Sequence, residues 1–421
     1  MMGVALNIQN HQQFRRAQIG DALFFQLVLK QGKDNLILRQ CFRVLPGKRL
    51  VALAEWRGQV VIAKIFFHPT HSLRHAKREV TSLNYLQDAL INAPKVLLHD
   101  SCLQDSVIQV VLLEQIAPAH SFFSVWLQTK AEKKTILMKS VLRLLADLHA
   151  ERLLQNDLHP DNVLVSKGKL YMIDAGTITR CRRPIRRRVA LDNVAFFLMQ
   201  FPYMSDDVLC EQSQWYANYR QWQLSVSDWH YVLRRVRHWL RWRWRHHYKK
   251  LFKTCSYWCL MHRLGYTVVV MRDHLLAKHL DQVVAMAQSG YSRDFTVVSF
   301  SKSFRHHTAK MLWRRLEQFN VYGIPTPKSL AIIYPKKGYG TAVVITEKLK
   351  GMPLTAFKKG SAHPETVTAV HQQVALIKKR LSLLDLSIPE DAFFVHGETV
   401  TISPAALDVR QPLLSRILQF L

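Results

Sequence analysis

From Cys41 onward, apolar and polar residues alternate in three short runs, CFRVL, LVALAEW and QVVIAKIFF, separated by Pro46-Gly47-Lys48-Arg49 and by Arg57-Gly58. Alternation at period two, broken by turn residues, predicts an antiparallel meander of three strands. The period then changes. Leu73, Ala76, Val80, Leu83 and Leu86 recur at helical spacing and predict a helix over 72–90. Two strand-sized apolar runs follow, near 95–99 and 107–114. Beyond Pro118 a second helical stripe holds Leu137, Val141, Leu144, Leu145 and Leu148. A loop over 155–162 leads into VLV, the turn Lys167-Gly168 and LYMID, which predicts a hairpin. The whole pattern is an α+β plan with two lobes and a ligand cleft between them.

Polar residues interrupt these apolar elements at few places. Lys64 sits within VVIAKIFF, where an ammonium on a buried strand requires an anionic partner, and Glu79 on the following helix supplies one. The loop reads Gln155-Asn156-Asp157-Leu158-His159-Pro160-Asp161-Asn162, and the next strand ends Met172-Ile173-Asp174-Ala175-Gly176. A strand Lys, a helix Glu, an Asp followed by Asn five positions on, and then Asp-x-Gly match the set used by protein kinases. In that reading Lys64 holds nucleotide phosphates and is fixed by Glu79. Asn162 and Asp174 offer hard oxygen ligands to Mg²⁺. Asp157 takes or orients the proton of the attacking hydroxyl. Gly176 relieves the backbone past the metal ligand. His159 reads as a brace of the loop rather than an acid or base. The turn before the second strand has one Gly where protein kinases place a Gly-rich loop. Lys48 and Arg49 either contact the phosphates of ATP there or merely solvate a hairpin tip. Glu114, closing the last strand of the sheet, joins Lys64, Lys48 and Arg49 among the nucleotide-contacting positions.

The segments RVLPGKRLVALAEWRGQVVIAKIFF, HAKREVTSLNYL and NDLHPDNVLVSKGKLYMIDAG resemble the bacterial lipopolysaccharide core kinases over roughly residues 40–255. That resemblance implies a protein-kinase-like fold, ATP and Mg²⁺ as cofactors, and heptose or Kdo of the inner core as acceptor. It implies Lys64, Glu79, Asp157, Asn162 and Asp174 as functional positions, and a peripheral protein at the cytoplasmic face of the inner membrane. DLHPDN also resembles the quinone-biosynthesis atypical kinases, but their Ala-rich nucleotide loop and long signature helix are not visible. A kinase of another small-molecule or protein acceptor, or a non-catalytic scaffold binding nucleotide or lipid, stays open as an alternative.

Charge narrows the partner. The 421 residues hold 59 Lys and Arg against 30 Asp and Glu, a formal charge of +29, with 48% hydrophobic residues ample for packed cores. Such a chain seeks polyanions. Residues 180–284 are the most basic stretch, with 19 Lys and Arg against 7 Asp and Glu, and seven of the ten Trp lie from Trp215 to Trp258. Six Arg fall between Arg180 and Arg188, where kinases meet their acceptor, which suits a phosphate- or carboxylate-rich glycolipid such as lipopolysaccharide core. Asp192 is expected to brace the catalytic loop. Over 228–252 an apolar stripe runs beside Arg234, Arg237, Arg241, Arg245 and Lys249, with Trp239 and Trp242 elsewhere around the helix. The stripe predicts core packing, and the Arg/Trp edge predicts contact with an anionic membrane surface. Nucleic acid fits the charge alone, but no recognised module accompanies it. No apolar run reaches the 18 or so residues of a membrane span, no signal peptide is visible, and six scattered Cys suit a reducing cytoplasm.

The last third echoes the first. HAKREVTSLNYL (75–86) aligns with TAKMLWRRLEQF (308–319), INAPKVLL with IPTPKSLA, and VVLLEQ with VVITEK. The catalytic positions are lost: Glu79 meets Leu312, Asp157 the Ser387 region, Asn162 Ala392, and Asp174 Ser403 or Pro404, while Lys302 stands as the counterpart of Lys64. The expected organisation is an N-terminal extension over 1–40, a kinase-like domain over 41–265, and a truncated pseudokinase-like domain over 285–421, used for bracing or gripping.

Overall fold

The computed structural model describes residues 25–407 apart from 46, 202–203, 256, 273–280, 282, 284, 286–288, 290–291, 301–305, 337–339 and 358–363. Two compact units emerge. One holds the chain up to Gln200 together with Asp206–Val236, the other Phe201–Ser205 and everything from Arg237.

In the first unit, β1 (Phe25–Val28), β2 (Asn35–Leu45), β3 (Arg49–Trp56), β4 (Gln59–Phe66), β5 (Val96–Ser101) and β6 (Gln109–Glu114) form an antiparallel sheet in the order β1-β2-β3-β4-β6-β5. The expected meander is β2 to β4. Residues 25–40, expected within an extension, instead supply β1 and the start of β2, because Leu27, Leu36 and Leu38 continue the same buried face. The β3–β4 turn places Arg57 and Gly58 at φ of 49° and 73°, the pair of left-handed residues a tight hairpin requires. Val61, Ala63 and Ile65 of β4 enter the sheet's core, so the alternation turns Lys64 to the other face.

Helix α1 (Ser72–Asp88) follows, burying Ala76, Leu83 and Leu86. Leu73, expected on that stripe, is 47% exposed because Ser72 takes the inward position at the first turn. The rest of the unit is mainly helical: β7 (His120–Ser121), α2 (Phe122–Gln128), α3 (Ala131–Ala150), β8 (Leu153–Gln155), the hairpin of β9 (Val163–Ser166) and β10 (Lys169–Met172), β11 (Ile178–Arg180), α4 (Arg187–Leu198), α5 (Asp206–Tyr219) and α6 (Val226–Tyr248). β8 pairs with β11, which ties the loop after β8 to the segment after β10. The division between units falls inside α6, at Val236, rather than between 265 and 285.

The second unit runs β12 (Trp258–Arg263), β13 (Tyr266–Met271), β14 (Phe295–Phe300), α7 (His306–Val321), β15 (Ser329–Pro335), β16 (Ala342–Glu347), β17 (Met352–Pro353), α8 (Leu354–Phe357), α9 (Pro364–Ser382), β18 (Phe393–His396) and β19 (Thr399–Ile402). Its main sheet has the order β12-β13-β15-β16-β14. Several backbone bonds fall at the positions that the internal alignment equates. The register irregularity between Val96 and Leu98 has its counterpart between Ser329 and Ala331. The bond from Glu114 N to Lys95 O, 2.9 Å, is matched by Glu347 N to Lys328 O, 2.9 Å. The bond from Met172 N to Asn92 O (2.8 Å) is matched by Ile402 N to Pro325 O (2.9 Å), and Ile173 N to Asn162 O by Ser403 N to Ala392 O, both 2.8 Å.

The internal alignment also sets residues of the second unit against the catalytic positions of the first. Lys64 faces Val111 across β4 and β6, and Val298 faces the equivalent Val344 across β14 and β16. The counterpart of Lys64 is therefore Val298; Lys302 lies outside the described residues. Asn162 corresponds to Ala392 and Asp174 to Pro404. The units also differ: β3 joins β4 in the first sheet, whereas β13 joins β15 at the opposite edge of the second.

Candidate active site

Lys64 and Glu79 are both buried, with relative exposures of 7% and 1%, and the Lys64 ammonium is bonded to Glu79 Oε1. The other oxygen, Glu79 Oε2, accepts the backbone N–H of Gly176 at 3.1 Å. A Cβ at Gly176 would lie 2.7 Å from that oxygen, so glycine is required by close approach and not by a left-handed backbone. Asp174 just before it is the residue in the left-handed region, at φ 54° and ψ 49°.

Asp174 gathers the cations. Arg49 donates from Nη1 to Oδ1 and from Nη2 to Oδ2, both at 3.0 Å, and Lys64 Nζ lies 3.4 Å from Oδ1. Arg43 approaches Oδ2 at 3.9 Å. Burial alone would raise the Asp174 pKa, but the charges of Lys64 and Arg49 outweigh it and hold the carboxyl down at about 2. Arg49, expected at the phosphates or at a solvated hairpin tip, thus engages both oxygens of Asp174. Lys48 is exposed, with its carbonyl accepting from Phe67 N. Glu114 is tied by its backbone N–H and its carboxylate to Lys95, and it makes no bond to the Asp174 cluster.

The loop after β8 is held by its own amides. Asn162 Nδ2 donates to the Asp157 carbonyl at 2.8 Å, which leaves Oδ1 for a cation. The Asp157 carboxylate is exposed and takes no bond among the described residues. His159 Nδ1 accepts the Asp161 N–H at 3.3 Å, the bracing role read from its position.

Sequence reasoning missed the hub beneath this loop. Gln155, 1% exposed, accepts at Oε1 from Asp157 N (3.2 Å) and from the Thr177 hydroxyl, and its Nε2 reaches the Asp174 carbonyl at 3.5 Å. Its own carbonyl accepts from Asn193 Nδ2 at 2.9 Å, and Asn193 Oδ1 lies 3.1 Å from His149 Nε2. His149 Nδ1 in turn meets the Tyr216 hydroxyl at 2.7 Å. Burial lowers the His149 pKa to about 4, so the ring is neutral and shares the hydrogen-bond chain without adding charge. The brace is therefore Asn193. Asp192, expected in that role, points the other way and pairs with Arg235 at 2.5 and 3.1 Å, because adjacent residues on α4 face different sides. The available signal was a pair of polar residues, His149 and Asn193, set into apolar helical stripes.

No cluster of three or more His, Cys, Asp or Glu forms a metal cage among the described residues. The donor set of Asp174 and Asn162 fits Mg²⁺ all the same, since that ion is held by one or two protein oxygens with phosphates and water completing its shell. Ligation by Asp174 requires Arg49 to release at least one oxygen.

The class follows from comparison with known proteins. Residues 49–238 match the family model described as lipopolysaccharide kinase (Kdo/WaaP) family, the family that the motifs resemble. The matched segment contains Lys64, Glu79, Asp157, Asn162 and Asp174, and it stops within α6 beside the unit boundary. Among solved structures, one described as WaaP in complex with acyl carrier protein is similar at 18% identity, covering 50% of this chain and 89% of that chain, with a TM-score of 0.36. No curated protein matches.

Proposed function

We propose that this protein is an ATP-dependent kinase that phosphorylates a sugar hydroxyl, heptose or Kdo, of the lipopolysaccharide inner core. The observation that carries the reading is the buried Lys64–Glu79 pair directed at Asp174, beside an exposed and unencumbered Asp157. Lys64 is pinned by Glu79 and positioned to hold the nucleotide's α- and β-phosphates. Bound Mg²⁺ supplies neutralisation of phosphate charge, with Asp174 and Asn162 as its protein ligands. Asp157 orients the acceptor hydroxyl and takes its proton. Gln155, through Asp157 N and the Asp174 carbonyl, keeps these two carboxylates in one frame.

Arg182, Arg183 and Arg186 are exposed after the Asp174 segment with no acidic partner among the described residues, which supports an anionic acceptor. No helix of the described residues is long and apolar enough to cross a membrane. Exposed Arg241, Trp242 and Arg245 on α6 support peripheral docking on anionic lipid at the cytoplasmic face. The second unit is read as a truncated, degenerate kinase-like copy. Shared bond positions support the kinship, and Val298, Leu312, Ala392 and Pro404 at four of the five catalytic positions support loss of chemistry.

The test is transfer of labelled γ-phosphate from ATP to purified core oligosaccharides, comparing the protein with Asp157→Asn. Label that appears on a heptose or Kdo hydroxyl and falls about a hundredfold or more in the variant is expected. Equal label with both proteins removes Asp157 from its role, and no label with either removes the acceptor.

A further inference from the structure

The second unit carries cations that its own fold leaves uncompensated. Lys310 and Arg314 are one turn apart on α7 and therefore share a face. The Lys310 ammonium lies 4.0 Å from the ring centre of Tyr334. The Arg314 guanidinium lies 5.2 Å from Tyr248 and 5.3 Å from Phe252. Phe252 and Tyr334 meet edge to face at 6.5 Å and form a wall beside both cations, with Tyr248 flanking Arg314.

These contacts leave a deficit. Arg314 Nε is buried with no hydrogen-bond partner. Burial pushes the Lys310 pKa down, and the neighbouring Arg314 charge pushes it further. Neither side chain has an acidic partner among the described residues. From Trp229 to Arg272 the chain contains eleven Lys and Arg and no Asp or Glu. The one acid on α7, Glu317, is buried and already bonded to His247 at 2.7 Å. Next to Tyr248 and Phe252 in sequence stand the exposed Lys249, Lys250 and Lys253, which deepen the positive potential. A cation over an aromatic face gains less than a desolvated charge gains from a hydrogen-bonded anion.

We infer that Lys310 and Arg314, walled by Tyr248, Phe252 and Tyr334, form a phosphate-binding site in the second unit. A phosphate dianion matches the two charges, and the guanidinium fork can grip two of its oxygens. The rings suit a phosphate carried on an apolar or sugar body. The site is no relic of the nucleotide position: Leu312, which stands where Glu79 does, lies on the opposite side of α7. Two sources share this chemistry, free phosphate and the phosphate of a lipid headgroup. The inference is independent of the catalytic reading and is tested without measuring phosphoryl transfer.

The experiment follows modification of Lys310 by trinitrobenzenesulfonate in the full chain, by peptide mass mapping, with exposed Lys133 as internal reference. Ionic strength is held constant with chloride. Inorganic phosphate at millimolar concentration is expected to slow Lys310 about fivefold while leaving Lys133 unchanged, and Arg314→Gln to abolish that protection. Vesicles of phosphatidylcholine containing phosphatidic acid form the second arm. Protection by these vesicles at phosphate concentrations where the free ion has no effect supports a headgroup ligand, and protection by both at similar concentrations supports the free ion. If neither probe slows Lys310 more than Lys133, the site does not exist. The wild-type measurement stands alone if Arg314→Gln fails to fold.

Discussion

Asp174 is the point where fold stability and chemistry meet, and replacing it with Asn tests both. In the folded protein its carboxyl titrates at about 2 instead of 3.8. At about 1.4 kcal/mol per pH unit, that difference makes the ionised carboxylate worth about 2 kcal/mol to the fold. Its side chain is only 17% exposed, so screening by solvent does not erase the figure. The folded pKa is depressed, so the contribution is complete above pH 4–5 and is lost as pH falls through the folded value. Asp174→Asn keeps the shape and removes the charge, leaving Lys64 and Arg49 short of a partner. Urea denaturation should show the variant about 2 kcal/mol less stable at pH 7, with the gap reduced to about 1 kcal/mol near pH 3. The variant should also lose the thermal stabilisation by Mg·ATP expected of the parent. A gap that is equal at the two pH values, or under about 0.5 kcal/mol at pH 7, would refute the assignment of Lys64 and Arg49 as the cause.

Three further outcomes are expected. Gly176→Ala drives a methyl to within 2.7 Å of Glu79 Oε2, and the displaced carboxylate should loosen Lys64, costing about 1–3 kcal/mol in denaturation and most of the Mg·ATP thermal shift. Asn193→Leu removes the link from His149 to the Gln155 carbonyl; kcat should fall about tenfold or more with KM for ATP little changed, and a KM effect alone would count against the brace. Arg241→Glu/Arg245→Glu, on exposed positions of α6, should abolish co-sedimentation with anionic liposomes, and unchanged binding sinks the docking reading. Arg243 is left out of that variant because it is largely buried, and burial lowers its pKa.

The order of elements in the first unit was legible in the sequence because strand and helix periods differ and turns such as Arg57-Gly58 and Lys167-Gly168 mark the joints. Lys64, Glu79, Asp157, Asn162 and Asp174 stood out for a related reason: charged or amide side chains set in apolar elements at fixed order are costly without a purpose, and the structure brings Lys64, Glu79 and Asp174 together. The sequence could not show that residues 25–40 belong to the sheet, since strand pairing is a long-range choice made by the buried face of Leu27, Leu36 and Leu38. It assigned the loop brace to Asp192 by resemblance to the helix-buried Asp of kinase folds, and only the rotation of α4 turns Asn193 inward.

Sequence alone carried the motifs of the lipopolysaccharide kinase family and an internal echo of segments, because both are written in residue types at local spacing. Tertiary structure decided which partners those residues take. Sheet register set Val298 opposite Val344 and Lys64 opposite Val111, and put the second unit's hairpin on the opposite edge. Close packing made Gly176 necessary for the approach of Glu79 and not for its own backbone freedom. Charge followed the same division: the +29 is a sum over residues, but whether Arg49 meets a phosphate or Asp174, and whether Lys310 and Arg314 have a counterion, depends on distances that a linear chain does not fix.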